Sequence, residues 1–435
     1  MKTWTGLFIA VCLLAVIVPA AYAGGAVGSD FRISRQHVDA VSSAAAYNPQ
    51  RQEYLVVWNN DRAGNDDIQA QRLNRWGHPV GPAFYIAAGP GAERRHPAVA
   101  YNSQRNEYLV VWEQEEAATG ISIRGRRISA VGALLQPPEI MVREPGYNLY
   151  TPAHPAVAYA FTANRYLVVW DETWHPMPIQ QSIRGQVLSS TGGLVGTRFD
   201  ISSDPGDSSY RQYPALAYNR ARNEYLVAWQ QRNPVGKDLN IFARRVTGNG
   251  HPLQPESIEL SGPWANDQKA PAVAALPNAG SDGQYLVVWE DRYPGDVGHT
   301  TARRVDGTGS PNGSSFYVGT LAAYAKDQTN PTVTASEHNR TYLVAWSQPE
   351  KDPLTPWVTW HFIFARAISV EGDLISPQVH AGGRYNAHRV AMASGFRGDI
   401  LLTFDDDPVA NGNVDIYGRL WGNRVYAPLL LKGRR

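Results

Sequence analysis

The chain has 435 residues, with 40 Lys and Arg against 39 Asp and Glu, a net charge of +1 and a single cysteine. A balance this close to neutral excludes the basic excess that nucleic acid or an anionic membrane would require of a main partner. The lone Cys12 excludes intrachain disulfides and thiolate metal sites.

The first elements in chain order are read as an export leader. Lys2 supplies a positive start, residues 7–18 an apolar run and Ala21-Tyr22-Ala23 a small-x-small cleavage site. This pattern predicts a signal peptide over 1–23, cut after Ala23, and a secreted or cell-surface location. Cys12 lies inside the leader, so the expected mature chain has no cysteine and equal numbers of acidic and basic residues. No later segment is apolar and long enough to be expected to span a bilayer.

Residues 24–422 carry a repeat. The stretch Glu53-Tyr54-Leu55-Val56-Val57-Trp58 returns at 107–112, 165–170, 224–229, 284–289 and 341–346. A worn seventh copy, 399–404, has Phe404 in place of Trp. A spacing of 54–60 residues sets the architecture before any local reading. Each unit opens with a small-residue run such as Pro97-Ala98-Val99-Ala100-Tyr101-Asn102, followed by a polar turn and the apolar Trp-ended segment. After a variable loop come a third segment, for example Ile123-Arg124-Gly125-Arg126-Arg127-Ile128, and a short fourth. Runs of β-branched and aromatic residues bounded by Gly, Pro, Asn and Asp read as strands, and no helical periodicity is sustained. Four strands in seven repeats predict an all-β, seven-bladed β-propeller of four-stranded antiparallel blades.

A small residue recurs at one third-strand position, as Ala70, Gly125, Gly185, Ala243, Ala302, Ala365 and Gly418. This is read as room for a large neighbour, the repeated Trp of the adjacent blade being the first choice. Asp30-Phe31-Arg32-Ile33-Ser34 reads as a fourth strand ahead of the first full repeat, so the N-terminal strand is expected to complete the last blade and leave no open edge. The tail strand 425–431 is its rival, ranked second because Pro428 interrupts the row of donors.

Pro-x-Val-Ala-Tyr-Asn, then Glu-Tyr-Leu-Val-Val-Trp, then Ile-x-Ala-Arg-Arg-Val resembles a class of secreted bacterial seven-bladed β-propeller repeat proteins of uncharacterised function. The resemblance covers nearly all of 24–422 and implies fold and export, not an activity. The segment 423–435, through Val425-Tyr426-Ala427-Pro428-Leu429, is similar to a short C-terminal motif of exported bacterial proteins, which implies sorting or retention; packing on the propeller is the alternative.

Candidate functional residues fall on one face. Loops joining strands two to three and four to one emerge together, and the former vary from 59–67 to 347–362 in extent. They carry Trp174, His175, Trp357, Trp360 and His361, with Trp264 in a four-to-one loop. A flat ring suits the C–H face of a sugar; packing within the loop is the ordinary alternative. Sixteen residues before each repeated aromatic, allowing for an insertion in the fifth repeat, lies a ring of Ser42, His96, His154, Tyr213, Ala270, Asn330 and His388. Three residues upstream stand Asp39, Glu93, Thr151, Tyr210, Asp267, Asp327 and Tyr385. Equivalent positions surround the propeller axis, so His96, His154 and His388 are expected at one mouth of the channel, with carboxylates across from each other. The alternative is that residues before Pro are simply extended and the Asp side chains satisfy turn amides.

Asp405-Asp406-Asp407 with 411–415 has the composition of a calcium loop but not the EF-hand spacing, so the metal content stays open. The sequence contains no Gly-x-Ser-x-Gly elbow, His-Glu-x-x-His, phosphate loop, dinucleotide fingerprint or Asp-box turn. Three readings follow. The first is a secreted, non-catalytic propeller, without cofactor, that binds a glycan or a surface protein on its variable-loop face. The second is a hydrolase or lyase acting on polysaccharide through the axial carboxylates, and the third a structural protein of the cell envelope. Oligomeric state is not readable.

Overall fold

The computed structural model describes residues 25–34, 39–61, 65–146, 149–175, 180–202, 210–232, 238–262, 266–292, 297–320, 326–351, 359–383, 386–407 and 414–422. The expected leader 1–23, the tail 423–435, Trp264, Trp357 and Tyr385 lie outside them. Within them no helix is long and apolar enough to cross a membrane.

The described residues form seven four-stranded antiparallel sheets arranged as a seven-bladed propeller. Blade 1 runs through Asp39–Asn48, Glu53–Asp61, Asp67–Asn74 and Phe84–Ala87, in that order from the axis outward. The next five blades repeat this order. Blade 7 contributes Val390–Ser394, Ile400–Asp406 and Asp415–Gly422 from the end of the chain and takes Gly25–Arg32 as its outermost strand. Phe31 pairs with Gly418 and Arg32 with Tyr417. Ion pairs Arg32–Asp415 at 2.6 Å and Arg419–Asp30 at 3.1 Å fasten this seam. The chain thus closes on itself through its N-terminal strand.

The second strand is apolar on both faces because it lies between neighbouring sheets. Residues 54–58 are fully buried, as are their equivalents in the other blades. Each repeated Trp packs backward onto the preceding blade: Trp112 joins Leu55, Val57, Ile68, Ala70 and Ile86, and Trp346 joins Leu286, Val288, Ala302 and Val318. Burying one such ring is worth roughly 2–3 kcal/mol. Four of the indoles also donate to the side chain two residues on, as Trp58 Nε1 does to Asn60 Oδ1 at 3.0 Å.

The small third-strand residue makes room for two neighbours. Ala70, Ala302 and Ala243 share an inter-blade cluster with the Trp of the next blade. The closest atoms to Gly185 and Gly418, however, belong to Phe199 and Phe31 on the fourth strand of the same blade, and a methyl group there would lie 2.9 and 2.6 Å from the ring carbons. The expectation that the adjacent Trp fills the space is therefore corrected at these two glycines, where cross-strand pairing sets the fourth-strand ring against the small residue first.

The Asn that ends the first strand of blades 1, 2 and 4 has a local task. Asn48 Oδ1 accepts from the backbone of Gln50 and Arg51, and Asn102 Oδ1 from Gln104 and Arg105, folding the turn into the second strand.

Candidate functional site: the axial mouth

The first strand of blades 1–6 breaks register once, always at the ring of positions read from the repeat. Arg95 pairs with Glu113 and the next pair is Ala98 with Val111; the same shift occurs between Val41 and Ala44, Ala153 and Ala156, Gln212 and Ala215, Lys269 and Ala272, and Thr329 and Thr332. At each break the ring residue has a left-handed backbone: Ser42, His96, His154, Tyr213, Ala270 and Asn330 have φ between 50° and 57°. The extended conformation expected before proline is thus not what these residues adopt. The extra residue of a bulge must turn back to rejoin the ladder, and this re-aims its side chain.

Blade 7 corrects one residue of the ring. In blade 1, Val57 pairs with Ala44, two residues beyond Ser42. Its equivalent Thr403 pairs with Ala391, two residues beyond Arg389. The turn Phe396–Gly398 is one residue shorter than 49–52, so a fixed count back from Phe404 lands one residue early. Arg389, not His388, completes the ring. His388 instead contacts His361, with ring centroids 4.4 Å apart and planes tilted by 46°, where burial and then its charge hold the His361 pKa below the ordinary imidazole value.

All seven ring residues, so corrected, line one cavity of about 970 Å³ at the axis. It opens on the face of the variable loops. His96, His154 and Tyr213, from three successive blades, form a continuous row of tilted rings, with centroids 4.9 Å apart and planes at 48° between the histidines, and 4.1 Å and 37° from His154 to Tyr213.

Behind the row stand carboxylates. His154 Nδ1 lies 2.9 Å from Asp171 Oδ1, and the same oxygen accepts from the Tyr213 backbone N–H at 3.2 Å. Glu113 Oε2 lies 3.2 Å from His96 Nδ1 and accepts from the His154 N–H at 3.4 Å. Gln230 Oε1 accepts from the Ala270 N–H at 3.0 Å in the same way. The side chain after each of these Trp residues therefore stitches one blade to the bulge of the next. Burial pushes the Glu113 carboxyl up, but the hydrogen bond and charge of His96, with His154, outweigh it and leave its pKa below the ordinary value. Burial likewise disfavours the His154 imidazolium, yet Asp171 and Glu113 overcome this and raise its pKa above the ordinary value.

The opposite arc of the mouth carries three cations and the Glu290 carboxylate. Lys269 lies 3.5 Å from Glu290, and Arg292 lies 3.2 Å from Glu290 and 2.9 Å from Asp327. Arg389 donates from Nη1 to Ser42 Oγ at 2.6 Å, bridging blades 7 and 1.

The upstream carboxylates do not meet in this cavity. Asp39 accepts from the Val414 N–H, Asp267 from Leu239 and Asp327 from Gly298, while Glu93 pairs with Arg95. They secure the backbone of neighbouring strands, as the turn reading expects. Trp174 and Trp360 sit on the same face but outside the cavity lining. Trp174 is partly exposed and lies nearly parallel to Tyr150, with centroids 6.4 Å apart; Trp360 is half-buried in a third strand opposite Glu350. Among the described residues no group of three His, Cys, Asp or Glu side chains stands ready to hold a metal ion. The acidic residues of the suspected calcium loop hold protein groups: Asp405 accepts from the Arg389 N–H, Asp406 from Asn386 and Asp415 from Ser34 Oγ. Residues 408–413 of that loop lie outside the described residues.

Glu113, Asp171, Lys269, Glu290, Arg292 and Arg389 escaped the sequence reading. For the first two and Glu290 a signal existed: the residue after each Trp, Asn59, Glu113, Asp171, Gln230, Glu290 and Ser347, is polar although the strand is otherwise apolar.

No family model matches the chain, and no curated protein does. Solved structures do. The chain is similar to a protein of unknown function from Dyadobacter fermentans, with a TM-score of 0.54 and 12% identity over 94% of this chain and 100% of that one. It is also similar to a Hadza microbial sialidase, with a TM-score of 0.50 and 11% identity over 77% of this chain and 66% of that one. At such identities the likeness shows the propeller fold and nothing finer.

Proposed function

We propose that the protein is a non-catalytic binding propeller, exported and working outside the cell, that recognises a glycan at its axial mouth. The observation that carries this reading is the row of contacting rings Tyr213, His154 and His96 lining a cavity of about 970 Å³. Flat rings edged by hydrogen-bonding groups suit sugars, whose C–H faces are apolar and whose rims are polar. Ser42, Ser43, Gln212, Gln230, Thr329 and Asn330 line the same cavity and supply such groups. The engagement of the upstream carboxylates with backbone amides favours binding over hydrolysis, because a glycosidase needs two carboxyl groups free to act at the scissile bond. The leader-like sequence over 1–23 supports the extracellular setting.

A glycan array probed with the purified protein, followed by calorimetry on the best ligands, tests the reading. Tyr213→Ala is expected to weaken the dissociation constant about tenfold, the equivalent of ~1.4 kcal/mol for one lost ring face. Absence of any glycan binding down to about millimolar affinity overturns it.

A further inference from the structure

Resting on that reading, we infer that the ligand of the axial mouth is an acidic saccharide, a sugar ring bearing a carboxylate, with Arg389 as the group that receives the charge. The lining is divided by chemistry. Blades 2–4 present the contacting rings of His96, His154 and Tyr213; blades 5 and 7 present Lys269, Arg292 and Arg389, with Glu290 between the first two. A neutral sugar uses only the first arc, whereas a sugar carrying a carboxylate on its rim uses both.

The three cations are not equivalent. Lys269 and Arg292 share Glu290, and Arg292 also holds Asp327, so this pair is largely neutralised within the protein. Arg389 has the Ser42 hydroxyl as its side-chain partner; its charge also acts on the buried Asp405, but it forms no ion pair with a carboxylate among the described residues. A guanidinium has five N–H donors in a planar fork that matches the two oxygens of a carboxylate. One donor on Ser42 fixes its direction and leaves the others for a ligand. Its backbone is anchored independently, through its N–H to the buried Asp405, so the side chain can be changed while that bond remains.

The discriminating experiment compares acidic oligosaccharides, oligogalacturonate and oligoglucuronate, with their methyl esters by calorimetry at low and high salt. The ester keeps the ring and its hydroxyls and removes only the charge. The expected result is about a tenfold preference for the acid that shrinks as salt is raised. Arg389→Gln should bring the ratio of acid to ester affinity close to one. Arg389→Lys, which keeps charge but not the fork, should retain an intermediate preference. Thermal unfolding of each variant, matching that of the parent, shows that the change is confined to the mouth; if Arg389→Gln unfolds early, Arg389→Lys decides alone. Equal binding of acid and ester by the unmodified protein overturns the carboxylate assignment and leaves glycan recognition standing. An acid preference that survives Arg389→Gln overturns the assignment to Arg389. Binding of neutral glycans alone overturns the inference, and binding of none overturns the proposed function with it.

Discussion

The side chains after the repeated Trp show how one residue serves fold and site together. Asp171 is almost fully buried, yet its Oδ1 meets both the His154 imidazole and the Tyr213 backbone N–H. A buried carboxylate is stable only with such partners, so its cost is met by fixing two of the three rings in the row. The electrostatics follow in sign. The His154 pKa is raised, so the stabilisation from its charged form is fully present below the ordinary value of about 6.5 and is lost as pH rises through the folded-state pKa. An NMR titration of the imidazole should therefore give a midpoint above that value. Asp171→Asn should move the midpoint down, because the largest favourable influence is removed while burial remains. A midpoint at or below about 6.5 in the parent would contradict this account. The Glu113 pKa is lowered, so its contribution is present above the ordinary carboxylate value and is lost as pH falls through the folded-state one.

At the scale of a strand or turn, the repeat was legible wherever a residue's neighbours are set by its own blade or by strict periodicity. The aromatic of the second strand and the small residue of the third announce themselves because every copy solves the same packing problem, and the Asn of the first turn does so in three blades. The bulge was half legible: counting from Trp found its residue in six blades, but backbone handedness is not written in Ser42, His96 or Tyr213, none of which is a glycine. Arg389 was hidden because a turn shorter by one residue shifts the register, and a one-residue slip exchanges which side chain reaches the axis. Glu113 and Asp171 were missed for a different reason: their partners come from the next blade, across a contact no local pattern describes. The turn glycines between strands three and four carry such a contact too. Gly250 has φ of +88°, and a Cβ there would lie 2.2 Å from Val187 and 3.3 Å from the Phe199 ring of the preceding blade. Gly250→Ala meets both a disfavoured backbone and a steric block. It is expected to destabilise by more than ~1 kcal/mol in denaturant unfolding, whereas Gly196→Ala, also at positive φ but with open space around it, should cost less.

For the whole molecule, ring closure is what gives the axial mouth its shape. Six blades are each built from one continuous run of chain, whereas in blade 7 the strand Gly25–Arg32 must arrive from the other end of the chain. That strand brings Phe31 over Gly418, Ile33 into the core and Asp30 onto both Arg419 and the Gly383 N–H of blade 6. Burial of Ile33 alone contributes roughly 1.5–3 kcal/mol, and the partly buried Phe31 adds less. Without it, Asp415–Gly422 becomes a bare edge with unpaired donors and acceptors. Arg389 and Ser42 face each other across blades 7 and 1, with 2.6 Å between Nη1 and Oγ, so loosening the seam should also loosen the mouth. A chain beginning at Asp39 is therefore expected to unfold at lower denaturant concentration and to associate through its exposed edge, as sedimentation would show. The peptide 25–34 added in trans should pair with that edge, restore the monomer and shift the unfolding midpoint back toward the intact protein. Glycan affinity should fall on truncation and return with the peptide, since the same closure holds the cation arc against the ring arc. If the truncated chain stays monomeric with an unchanged midpoint, the seam is not what closes the ring; if its midpoint drops while ligand affinity is untouched, the mouth does not depend on closure.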